Sequence, residues 1–184
     1  PLRDVSAPPA DEKLPRVFGR YMLFDHIGRG GMANIYLATE DSGLGALRRV
    51  VVKKILPRFG KDPDFARMLI DEAKLAAELR HANVVSVHDV GTFGDRVFIA
   101  MEFVEGATLK SWLRAQPRTR KEVLAVFQQA GRGLQSAHDA GLIHRDFKPK
   151  NVFLGDDGAP LVGDFGLAAP TASLPGDTTA PGIA

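Results

Sequence analysis

The chain has 184 residues, 24 Lys+Arg against 22 Asp+Glu for a net charge of +2, 45% hydrophobic side chains and no cysteine. Its length and apolar fraction exclude a disordered or fibrous chain, and the near-cancellation of charge gives nucleic-acid binding no support. Without cysteine there is no disulfide framework, Cys-zinc site or thiol nucleophile, which fits a reducing compartment.

No apolar run reaches the roughly 18 residues of a membrane span, and the N-terminus lacks the basic-then-apolar layout of a signal peptide. A cytoplasmic segment without membrane contact of its own is therefore expected, a tether outside it being compatible. Residues 1–18 hold Pro1, Pro8, Pro9 and Pro15 and show neither a helical nor a strand period, so they read as a mobile tail. From Gly19 to about Phe59 the pattern is β-like: Tyr21 to Ile27, Ile35 to Ala38, and the run Val50-Val51-Val52, punctuated by glycines. Three short strands joined by hairpins are expected.

Asp62 and Pro63 supply an N-cap and a first-turn proline for a helix running to about Arg80. At 100° per residue, Phe65, Met68, Leu69, Leu75, Ala76 and Leu79 form one apolar stripe, with Glu72 near its centre, Asp71 on its flank and Lys74 opposite. A carboxylate at the centre of a core-facing stripe needs a cationic partner, or it must take up a proton. Val84 to Val87 and Val97 to Met101 read as two further strands. After Glu105-Gly106 the sequence turns helical: Thr119-x-x-Glu122 is a capping box, and Val123, Val126, Phe127, Ala130, Leu134 and Ala137 keep helical spacing until Gly141. The order predicts a β-rich lobe with one helix followed by a helical lobe, meeting near residues 102–106.

The densest chemistry lies in His144-Arg145-Asp146-Phe147-Lys148-Pro149-Lys150-Asn151, which puts a carboxylate, an ammonium and a carboxamide into one Pro-restricted loop. Val152-Phe153-Leu154, an Asp157-Gly158 turn and Leu161-Val162-Gly163 follow. Antiparallel pairing of Leu154 with Leu161 would set Asn151 opposite Asp164. Two hard oxygen donors at one mouth, with Asp146 close by, suit Mg2+ carrying substrate phosphates. His26, His81, His88 and His138 share no ligand spacing, and His144 reads as a packing and hydrogen-bonding element.

These motifs, taken in order, resemble a serine/threonine protein kinase of the bacterial (Hanks) type: a Gly-rich loop, a strand Lys, a helix Glu, HRDxKxxN and Asp164-Phe165-Gly166. The likeness covers about residues 19–184. It implies an α+β, protein-kinase-like two-lobe fold, with a complete N-lobe of antiparallel sheet plus one helix over residues 19–104 and a partial helical C-lobe over residues 105–184. Gly28-Arg29-Gly30-Gly31-Met32-Ala33-Asn34-Ile35 resembles the loop that covers the nucleotide phosphates, with Ala33 in place of the last glycine; a plain β-turn hairpin is the alternative for that stretch alone.

Strand alternation does not choose between Lys53 and Lys54. The resemblance selects Lys53 for the α/β-phosphates, paired with Glu72, and leaves Lys54 solvated. It further implies Asp146 as base or orienting group, Lys148 as neutraliser of the transferring phosphoryl, and Asn151 and Asp164 as ligands of Mg2+ or Mn2+. ATP would contact Ile27, Gly28, Arg29, Gly30, Gly31, Ile35, Val51, Lys53, Met101, Glu102, Val104 and Phe153, with Met101 as gatekeeper and backbone groups of Glu102 and Val104 offered to adenine.

Lys148, two residues after the base, resembles the serine/threonine class rather than the tyrosine class. The partners implied are ATP and protein substrates with Ser/Thr acceptors. An uncompensated Arg145 beside Asp146 resembles kinases whose phosphorylated activation loop supplies the counter-charge, with Thr171, Ser173, Thr178 and Thr179 as acceptors.

Two other readings rank below this one. A nucleotide-binding pseudokinase or scaffold would be marked by loss of Lys53, Asp146, Asn151 or Asp164, and all four are present. Small-molecule phosphotransferases of kinase-like fold usually lack the full HRD and DFG strings. The Ala-Pro-Glu element that should follow the activation loop is missing, so the segment is expected to stop inside the activation segment and, alone, to be poorly stable and weakly active.

Overall fold

The computed structural model describes residues 13–41, 46–60 and 63–165. The first lobe is an antiparallel sheet of β1 (Arg16–Phe18), β2 (Tyr21–Arg29), β3 (Ala33–Asp41), β4 (Leu47–Ile55), β5 (Val87–Phe93) and β6 (Arg96–Glu102), in the order β1-β2-β3-β4-β6-β5. The three predicted hairpin strands are β2, β3 and β4, each longer than its apolar run because ladder pairing carries the flanking polar residues along.

Three expectations need correction in this lobe. The tail ends earlier than residue 18: Arg16–Phe18 pairs with β2, and Phe18 is buried, edge-on to Phe93 and Phe98 at centroid distances of 4.8 and 5.4 Å. One aromatic with a slot to fill outweighs the proline-rich composition before it. Val84 and Val85 do not belong to a sheet strand. Val84 makes an isolated parallel bridge to Val162, and the strand proper is the more polar Val87–Phe93, held by its pairing with β6. Finally, the apolar stripe of α2 (Pro63–Glu78) is rotated from the predicted one. Leu69, Ala73 and Ala76 are buried, at i, i+4 and i+7, while Leu75 is 45% exposed. A four-residue helix, α1 (Pro57–Gly60), precedes it; the predicted N-cap Asp62 lies outside the described residues.

The second lobe comprises β7 (Gly106–Thr108), α3 (Leu109–Ala115), α4 (Arg120–Asp139), β8 (Val152–Gly155) and β9 (Pro160–Val162), with a small sheet ordered β7-β8-β9. The capping box forms as predicted: the Glu122 N–H donates to Thr119 Oγ1 at 3.2 Å, and Glu122 Oε2 accepts from the Thr119 N–H at 2.7 Å. Gly141, at φ 78°, ends the helix in the left-handed region. Phe127 of the predicted stripe is 41% exposed, whereas Val126, Ala130 and Ala137 are buried.

The β8–β9 register is one residue from the predicted one, with Phe153 opposite Leu161. The connecting loop closes at Gly155, whose N–H donates to Ala159 O at 3.1 Å while Gly158 N–H returns to Gly155 O at 2.8 Å. Asn151 therefore faces Gly163, whose N–H donates to Asn151 O at 2.8 Å, and Asp164 sits one step beyond.

The lobes are joined at residues 83–85. Val85 N–H donates to Val162 O, Val162 N–H to Asn83 O and Asn83 Nδ2 to Pro160 O, each at 2.9 Å. Around this clip Ala76, Leu79 and Val84 share one core with Val126, Ala130, Val152, Val162 and Phe165, so α2 is packed against both lobes.

Gly133 presses α4 directly on the clip: a Cβ there would lie 2.5 Å from Asn83 O, whereas one on Gly131, in the same helix, meets nothing within 4 Å. Gly133→Ala is expected to cost about 1–3 kcal/mol through overpacking, and Gly131→Ala to stabilise by about 0.5–1 kcal/mol through helix propensity. Thermal unfolding of the two variants checks the opposite signs.

Candidate active site

Between the lobes lies a cleft of about 910 Å³ that takes in every residue predicted for the site except Glu72. Ile27 through Gly31, with Ile35, roof it; Val51, Met101 and Val104 back it; Phe153, Asp146, Lys148, Asn151 and Asp164 form its floor. The roof is the tip of the β2–β3 hairpin, closed by Gly30 N–H donating to Ala33 O at 2.8 Å and anchored by Arg58 donating to Gly31 O at 2.5 Å. Ala33, where the usual loop has glycine, also joins the core of Ile55, Leu69 and Val97.

Both lysines of β4 are buried, Lys53 at 6% and Lys54 at 7% exposure. β4 lies between β3 and β6 and is no edge strand, and side chains cover both of its faces at this point, which corrects the expectation of a solvated Lys54. Alternation sends Lys53 into the cleft and Lys54 to the opposite face, where its Nζ lies 5.0 and 5.1 Å from the rings of Phe18 and Tyr36.

The charge pairing differs from the expected one. Lys53 Nζ is paired with the Asp164 carboxylate, and Glu72 Oε1 with the Arg145 guanidinium at 3.0 Å. The stripe carboxylate does have its cation, but the catalytic loop supplies it instead of β4, so Arg145 is not uncompensated. Glu72 Oε2 is buried without a hydrogen-bond partner among the described residues. Burial pushes the Glu72 carboxyl above its ordinary value, and Arg145 only partly opposes this. Arg145 and Asp164 both have left-handed backbone, at φ 58° and 64°. A non-glycine residue holds that conformation only where its surroundings over-determine it. Here it turns both side chains out of the line of their chain segments and into ion pairs.

Within the loop, buried His144 bridges two segments. Its Nδ1 accepts from Asp146 N–H at 3.3 Å, which makes Nε2 the protonated nitrogen donating to Gly163 O at 2.9 Å. Its ring packs on Phe165 at 4.7 Å, as its predicted packing role requires. Lys148 Nζ donates to Asp146 Oδ2 at 2.5 Å, and Asn151 Nδ2 donates to Asp146 O and Oδ2 at 3.0 and 3.2 Å. The bond from Lys148, more than any other contact, holds the Asp146 carboxyl below the usual carboxylate range.

The donor set fits a hard cation. Asp164 offers a carboxylate, and Asn151 Oδ1 accepts no hydrogen bond among the described residues, since its amide nitrogen makes both contacts with Asp146. Two protein oxygens completed by phosphate and water match the way Mg2+ is held. Gly166 and the acceptors Thr171, Ser173, Thr178 and Thr179 lie outside the described residues. Sequence reasoning missed Lys110, Arg114 and Lys150, which line the cleft mouth; the i, i+4 spacing of Lys110 and Arg114 was the available signal.

A model of the protein kinase domain matches residues 21–180. The chain belongs to the protein kinase domain family. The serine/threonine-protein kinase PrkC of Bacillus subtilis is 40% identical over 159 residues, which are 86% of this chain and 24% of PrkC. The tyrosine-protein kinase MasK of Myxococcus xanthus is 38% identical over 168 residues, 84% of this chain and 26% of MasK. A solved PknI kinase domain from Mycobacterium tuberculosis, a C20A_R136N double mutant, superposes with a TM-score of 0.74 at 31% identity, covering 86% of this chain and 65% of that one. The chain thus spans about a quarter of the length of these curated kinases. Among the described residues no helix is long and apolar enough to cross a membrane.

Because Lys148 is what lowers the Asp146 carboxyl, Lys148→Met is expected to raise its titration midpoint toward the ordinary value, read by 13C NMR of the carboxyl carbon. An unmoved midpoint would remove Lys148 as the cause.

Proposed function

We propose that this kinase domain transfers the γ-phosphoryl group of ATP, in the presence of Mg2+, to Ser and Thr hydroxyls of protein substrates. The observation that carries the reading is the convergence of Lys53, Asp146, Lys148, Asn151 and Asp164 in one cleft beneath a glycine-rich hairpin.

The apolar faces of Ile27, Val51, Met101 and Phe153 would sandwich adenine, with backbone groups of Glu102 and Val104 at its edge, the Glu102 N–H being already committed to Ser86 O at 2.8 Å. Lys53 and the backbone N–H groups of Gly28 to Gly31 neutralise and position the phosphates. Asn151 and Asp164 would hold the cation, which would supply neutralisation of the phosphate charge. Asp146 accepts the proton of the substrate hydroxyl as its oxygen attacks γ-phosphorus and the bond to the ADP oxygen breaks; Lys148 balances the charge on the moving group. Such a reaction depends mainly on positioning and on electrostatic stabilisation. Glu72, outside the cleft lining, acts as a positioning residue through Arg145, the neighbour of Asp146.

The Ser/Thr assignment rests on Lys148 and on the printed names of relatives such as PrkC; MasK is named a tyrosine kinase, so Tyr acceptors belong in the assay. Phosphorylation of Thr171, Ser173, Thr178 or Thr179 in the activation segment is part of the same proposal. A second reading, nucleotide binding with weak turnover, draws on Lys53 being paired with Asp164 instead of Glu72.

Peptide phosphorylation and ATP binding, measured together on the full chain, separate the two readings. Asp146→Asn is expected to lower turnover by on the order of 10²–10⁴-fold with ATP affinity retained; retained turnover removes Asp146 as the base. Lys53→Met is expected to abolish transfer. Lys54→Met keeps it, since Met fills the space over Phe18 and Tyr36.

A further inference from the structure

The mouth of the cleft carries a one-signed charge that the chemistry above does not use. Lys110 and Arg114 lie one turn apart on α3, and both line the cleft beside Lys150 of the catalytic loop. The arrangement is fixed by backbone: Lys110 N–H donates to Pro149 O at 2.9 Å, tying the first turn of α3 to the residue before Lys150.

Among the described residues no carboxylate pairs with Arg114 or Lys150 on the rim. Among the described residues, the acidic ones lining the cleft are Glu102, Asp146 and Asp164. Glu102 Oε2 accepts from the backbone of Ser86, Asp146 is held by Lys148, and Asp164 by Lys53. Arg114 and Lys150 are exposed and make no ion pair among the described residues. An acceptor hydroxyl that reaches Asp146 must bring its flanking residues past this rim. Cations there attract anionic flanks and repel basic ones.

We infer that Arg114 and Lys150 select protein substrates whose acceptor Ser or Thr is flanked by Asp or Glu. This deepens the kinase reading and rests on it. Carboxylate side chains and phosphorylated residues share the anionic chemistry; the commitment is to carboxylates, because exposed cations spread along a rim suit several single charges better than one compact dianion.

The test is binding of non-phosphorylatable peptides, Ala in place of Ser, to the full chain saturated with ADP and Mg2+, read by fluorescence anisotropy at low salt. Three flanks are compared: Asp/Glu, the isosteric Asn/Gln, and phosphoserine. The acidic peptide is expected to bind at least tenfold more tightly than the Asn/Gln peptide, with the advantage shrinking as salt is raised. In the Arg114→Glu/Lys150→Glu double variant it is expected to vanish or invert, with ADP affinity unchanged.

Equal binding of acidic and amide peptides overturns the proposal, as does a preference that survives the double substitution. So does tightness confined to the phosphoserine peptide, or a loss of ADP affinity that equals the loss for peptide, which would assign the cations to the nucleotide. Turnover of the matching Ser peptide is read in parallel. Its absence alongside an intact acidic preference counts against phosphoryl transfer and still supports the acidic-peptide rim.

Discussion

The contact on which the rest of the molecule depends is the backbone clip between residues 83–85 and β9. Three hydrogen bonds at 2.9 Å fasten the segment that follows α2 to the strand that leads into Asp164. Buried backbone groups must find partners, and here each lobe satisfies the other's. The clip therefore sets the height of α2 above the second lobe, and with it the reach of Glu72 to Arg145. It also sets the position of Asp164 beneath Lys53. Gly133 lets α4 approach Asn83 closely enough to close the joint from the far side.

Above this joint the cleft holds more charge than a protein interior tolerates without pairing. Lys53 with Asp164, Glu72 with Arg145 and Lys148 with Asp146 form three ion pairs across four chain segments. Two of the six residues, Arg145 and Asp164, hold left-handed backbone in these pairs. Pairing is incomplete at Glu72, whose second oxygen has no partner among the described residues, and burial correspondingly favours its protonated form. Glu72 is thus the point in this network where the balance of charge is least settled.

Much of this was legible in the sequence for specific reasons. The β2 to β4 hairpins, the capped α4 and the stop at Gly141 follow from local periodicity and end chemistry. The site residues were legible because each motif is short and its order along the chain is constrained. Where reading failed, competition from distant residues decided. Leu75 and Phe127 have helical spacing but no neighbour among the described residues that buries them, β5 is held as a strand by its pairing with β6, and Phe18 is drawn from a proline-rich stretch by Phe93 and Phe98. The one-residue shift of β8 against β9 arose in loop closure, where five residues sufficed and six had been allowed.

By itself the sequence determined which groups are available for chemistry and in what order they occur, since motif spacing is a property of the chain. It also determined that a carboxylate on the inner face of α2 must meet a cation or take up a proton, because an unpaired buried charge is too costly. Only the tertiary structure decided which cation. Arg145, not Lys53, takes that place, and the choice depends on distances set by the clip and on backbone turned to φ 58° and 64° at Arg145 and Asp164, neither of which is encoded in local pattern. The same holds for the basic rim: Lys110 and Lys150 are forty residues apart in sequence, and one backbone hydrogen bond to Pro149 places them at the same mouth.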